Sequence, residues 1–90
     1  MKFLKICKTK ESIKELVELE NGIDVDEDMS IVLALSDEEL FKIVNLNNIH
    51  SITKIYIAND VFITPHQEQI LKRNNIEINI IPDYYYGELK

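Results

Sequence analysis

Four residues of this 90-residue chain stand where chemistry could be assembled: Cys7, Ser36, Asn59 and Asp60. Each closes or follows a short apolar run that reads as a β-strand, and in a parallel α/β sheet ligands gather beyond the carboxyl ends of the strands. Cys7 is the one potential nucleophile among them. A catalytic thiol must ionise, which calls for a neighbouring base or cation. No base is evident beside Cys7, and the commoner role of a free cysteine is a small buried hydrophobe. The four residues are candidates for a pocket, with no catalytic residue assigned.

Other titratable clusters have local explanations. Asp24, Asp26 and Asp28 alternate as at the start of a calcium loop, but Met29 and Leu35 hold the sixth and twelfth positions, where such a loop needs Gly and Glu. The triplet Asp37, Glu38 and Glu39 suits the positive end of a helix dipole. His50 and His66 lack the spacing of a metal-binding helix and read as surface residues. With only Gly22 and Gly87 present, neither a phosphate-binding glycine loop nor a dinucleotide fingerprint can form. No metal and no cofactor are expected.

A net charge of -6 repels phosphate backbones, so no direct nucleic-acid binding is expected. The same field with its sign exchanged would let the chain act as an acidic inhibitor or DNA mimic, with the carboxylates of 24–28 and 37–39 forming one patch. The single cysteine rules out an intramolecular disulfide and fits a reducing, cytoplasmic setting. MKFLKICK mixes lysines into its apolar residues, unlike a signal peptide, and no apolar run approaches the roughly 20 residues needed to span a bilayer. At 46% hydrophobic and 29% charged, the chain is too apolar for disorder and is expected to fold as one small domain.

The elements that would position these residues follow from the pattern of apolar positions. KFLKIC (2–7) reads as a strand, with Thr9 as the N-cap of a helix whose apolar positions are Ile13, Leu16, Val17 and Leu19. Asn21 and Gly22 end it. SIVLAL (30–35) is a continuous apolar run, the pattern of a strand covered on both faces, and is expected to be central. Ser36 and Glu39 predict a capping box for a second helix, with Leu40, Phe41 and Val44 buried and an end near 45–48. Ile55 to Ile57 form a further strand, after which Asn59 and Asp60 either close a hairpin or lead as a loop into the next helix. In ITPHQEQIL (63–71), Thr64 is an N-cap, Pro65 the first helical residue and Gln67 the partner of a second capping box. Lys72 and Arg73 suit the end of that helix, and Asn74 and Asn75 stop it. IEINII (76–81) alternates apolar and polar residues as an edge strand does.

This order predicts an α/β fold: a single domain over 1–82 with a mainly parallel four-stranded sheet, an optional short hairpin strand and three helices, followed by a Tyr-rich tail over 83–90. Residues 54–80 also resemble an element of bacterial microcompartment-associated proteins of ethanolamine and propanediol utilization. There a strand leads into an I/L-T-P helix start, an amphipathic helix and a G-I-E-I type strand. Ile63, Thr64, Pro65, Leu71, Ile76, Glu77 and Ile78 stand at the matching positions, while Asn75 replaces the glycine. The resemblance covers under a third of the chain and implies an assembly or targeting module.

Taken together, these features lead to an expectation of a non-enzymatic interaction or assembly module that acts through a protein partner and self-associates. Its expected contacts are Ile76, Ile78 and Ile80 of the edge strand and Tyr84, Tyr85 and Tyr86 of the tail. The alternatives are the acidic inhibitor and a small ligand-binding domain or enzyme centred on the strand ends.

Overall fold

The structure, a computed structural model, describes the backbone at residues 2–6, 10–81 and 84–88 and the side chains at 11 and 13–81. The chain order is β1 (Lys2–Ile6), α1 (Lys10–Asn21), β2 (Ile31–Ala34), α2 (Asp37–Val44), a 3-10 turn (Ile49–Ser51), β3 (Lys54–Ala58), α3 (Pro65–Arg73), β4 (Glu77–Ile81) and β5 (Tyr84–Glu88). β2, β3 and β4 form a parallel sheet in that order, with Ile55 beside Val32 and Ile78. β1 and β5 pair antiparallel as a separate ribbon, Lys2 opposite Glu88.

The sheet is covered on both faces. On one, Ile55 and Ile57 of β3 meet Leu40, Ile43 and Val44 of α2 and Leu71 of α3; on the other, Tyr56 and Ala58 meet Ile13 and Val17 of α1, with Val25, Ile31 and Ile81. Ile55, Ile57, Leu40, Leu71 and Val17 are fully buried. Connections of one hand along β2–α2–β3–α3–β4 place α2 and α3 on the same face, as observed.

Four expectations are corrected. The parallel sheet has three strands, not four, because β1 lies in the ribbon. A right-handed β1–α1–β2 connection with α1 on the opposite face would need β1 on the β3 side of β2, and β3 occupies that position. β3, not β2, is central: an apolar run shows that a strand can be covered, not which neighbours cover it. The buried face of α2 is Leu40, Ile43 and Val44, whereas Phe41 is 63% exposed: Ile43 and Phe41 flank the Leu40/Val44 line about equally on either side, and the helix turns the Ile43 side to the sheet. Leu19, about a third of a turn from the centre of the stripe of Ile13, Leu16 and Val17, is also exposed.

The helix ends follow local rules. Gly22 takes φ 66° and its N–H donates to the Glu18 carbonyl, closing α1. Thr64 and Gln67 form the reciprocal capping box of α3, with Pro65 in the first turn. Asn75 takes φ 60°, and the N–H groups of Asn75 and Ile76 donate to the carbonyls of Lys72 and Leu71, a Schellman closure that turns the chain directly into β4. The expected N-cap Thr9 lies outside the described residues. Asn59 and Asp60 form an exposed turn, closed by Val61 N–H to the Ala58 carbonyl, and the chain continues as a loop into α3 without a hairpin strand. Within the stretch read as a tail, Tyr84–Glu88 form β5.

Candidate functional site

The carboxyl ends of β2 and β3 bring Ser36, Asn59 and Asp60 to one end of the sheet. Ser36 is committed to α2: its Oγ accepts from the Glu39 N–H at 3.2 Å. Glu39 Oε1 accepts from the Leu35 N–H at 2.7 Å, one residue before the cap that a capping box would engage. Asp37, explained in the sequence by the helix dipole alone, also accepts from the Phe62 N–H at 3.0 Å and so clasps the β3–α3 loop to the start of α2. Asn59 and Asp60 are exposed. Cys7 lies outside the described residues, and the strand before it belongs to the ribbon and not to the parallel sheet.

A groove of about 640 Å³ lies elsewhere, along the outer edge of β2. Lys14, Asp26, Met29, Leu33, Glu39 and Ile43 are among the residues that line it. Lys14 donates to Asp26, and this hydrogen bond, reinforced by the charge, raises the lysine above its ordinary value of 10.5. Asp24 and Asp28 turn their carboxylates onto the loop itself. Asp24 Oδ1 accepts from Asp26 N–H at 2.9 Å, and Asp28 Oδ1 accepts from the side chain and backbone of Ser30, which hold Asp28 below its ordinary 3.8. Among the described residues no three His, Cys, Asp or Glu side chains are grouped to hold a metal ion. None of the described helices is long and apolar enough to cross a membrane.

The edges of the sheet differ in what they leave open. The Ser30 carbonyl accepts from Thr53 and Lys54, so the even-numbered residues of β2 face β3 and the backbone of Ile31, Leu33 and Leu35 faces outward. Ile31 N–H donates to the Asp28 carbonyl and Leu35 N–H to Glu39, so that among the described residues Leu33 alone of these three has no acceptor for its N–H. In β4 the Glu77 N–H donates to the Thr53 carbonyl, so Ile78 and Ile80 direct both backbone groups outward, with no partner among the described residues. Of the expected contact residues, Ile76 is buried against the core, Ile78 is half-buried and Ile80 is 50% exposed. Tyr84, Tyr85 and Tyr86 pair through their backbone with Ile6, Lys5 and Leu4, and their side chains are outside the described set. His50 and His66 are exposed, on the 3-10 turn and in the first turn of α3.

Comparison of the chain with protein-family models, with curated proteins and with solved structures finds no match to any of them.

Proposed function

We infer that the chain is a non-enzymatic protein-interaction module that self-associates through a sheet edge. One observation carries this reading: β4 is an outer strand whose Ile78 and Ile80 offer backbone groups unpaired among the described residues, beside a half-exposed isoleucine. Such an edge is a template for another strand unless charge, proline or a covering element blocks it. The microcompartment resemblance of residues 54–80 directs the proposal towards assembly or targeting. Asn75, the departure from that pattern, takes the left-handed backbone that a glycine would take there.

Light scattering on the intact chain across a salt series tests the proposal. The expected result is a mass above the 10.5 kDa of one chain that is insensitive to salt, returned to one chain by Ile80→Lys without loss of fold. A monomer at every concentration would refute self-association. An acidic inhibitor would draw on a different surface: Glu11, Asp26 and Glu39 line one groove, although Lys14 stands among them paired with Asp26. Its binding to a basic partner would weaken steeply with salt, which separates it from edge pairing.

A further inference from the structure

Resting on the self-association just described, we propose that two copies join antiparallel along β4 about a two-fold axis at Asn79, making one six-stranded sheet. The open groups of the edge select this register. In an antiparallel pair, residues whose backbone points at the partner exchange N–H and C=O groups, so Ile78 and Ile80 must face outward-pointing residues of the second copy. Three symmetric registers meet that condition. Centring on Ile78 sets Ile80 against Ile76 of the partner subunit, but the Ile76 N–H is already given to the Leu71 carbonyl. Centring on Ile80 sets Ile78 against position 82, a proline with no N–H to give. Centring on Asn79 sets Ile78 opposite position 80 of the second copy and Ile80 opposite position 78. All four open N–H groups then find carbonyls.

The side chains agree with this choice. Ile78 and Ile80 lie on the α2/α3 face, in register with Ile55 and Ile57, so each isoleucine would meet an isoleucine across the new seam. This would cover the 50% of Ile80 that one copy leaves in water. On the α1 face Asn79 would meet its own copy, two amides able to bond each other. Glu77, which accepts from Asn79 Nδ2 at 3.1 Å, would stand opposite position 81, an isoleucine, and so not against another carboxylate. The interface is isologous and closes at two copies.

The test is disulfide trapping in a Cys7→Ser background, with light scattering on the unmodified chain in parallel. Asn79→Cys puts two thiols on a directly opposed pair with Cα atoms about 4.5 Å apart, within disulfide reach. It should form a covalent dimer on mild oxidation, whereas Glu77→Cys, four positions out of register with itself, should not. If Asn79→Cys does not fold, amide exchange of the unmodified chain decides: Ile78 and Ile80 should exchange roughly tenfold more slowly in concentrated than in dilute solution, with Leu33 unchanged. A dimer by mass that is trapped equally at 77 and 79, or at neither, overturns this register while leaving self-association standing. A monomer by mass with no trapping, or exchange at Ile78 and Ile80 that ignores concentration, overturns the proposal itself.

Discussion

At the outer edge of β2 the N–H groups of Ile31 and Leu35 are taken up by the Asp28 carbonyl and the Glu39 carboxylate, whereas at the outer edge of β4 those of Ile78 and Ile80 have no partner among the described residues. Both strands border the same central β3, and both are short. The difference comes from the neighbouring turns. β2 is entered from a tight acidic loop and left through a helix cap, and each connection folds a polar group back onto the edge. β4 is entered from the Schellman closure of α3, which uses up the Ile76 N–H and then releases the strand. In this sheet the β2 edge is blocked by the segments that precede and follow it.

Removing the shared foundation should have the largest effect. Ile57 is fully buried in β3, and Ile57→Ala should cost about 2–5 kcal/mol in urea unfolding, with amide protection falling at both edges together. Loss confined to one edge would mean that the two do not share one cooperative unit. Glu39→Ala tests the plug on β2. Losing a charge-assisted bond to a backbone N–H should cost about 1–2 kcal/mol, speed exchange of the Leu35 amide and leave that of Ile80 unchanged. An equal change at Ile80 would refute a local plug.

The smallest effect concerns acid. Hydrogen bonds from Ser30 hold Asp28 below its ordinary 3.8, so the unfolded chain binds this proton more readily than the folded one. The contribution is therefore complete above pH 3.8 and is lost as pH falls through the lowered folded value. Asp28→Asn keeps an acceptor oxygen and removes the titration, so the stability curves of the two proteins should converge on acidification. Curves that stay parallel would show that the Asp28 turn is not part of how the β2 edge is held.

How much of this was legible in the sequence depends on how far apart the interacting residues are. Thr64, Pro65 and Gln67 specify the start of α3 within four positions, and the alternation of 76–81 identifies an edge strand. The centre of the sheet was not legible. Tyr56 makes β3 look half-polar, yet its hydroxyl accepts from Asn21 Nδ2 at 3.0 Å, and that partner lies on another element. The clasp from Asp37 to Phe62 crosses 25 positions and leaves no local signal. The pairing of β5 with β1 was hidden for the same reason: YYYGE looks like a tail until its partner at the other end of the chain is known. Phe41 and Ile43 show a finer limit, since both are apolar and only the angle of the helix on the sheet decides which is covered.

The ribbon also bears on the order of folding. In β2–β3–β4 each strand pairs with the next through one intervening helix, so every closure is short. Joining Lys2 to Glu88 instead closes a loop of nearly the whole chain, and the entropy of that closure grows with loop length until an already folded middle shortens the path. The two ends should therefore meet last, on a sheet already in place, and pulse-labelled exchange should find Ile57 protected before Leu4.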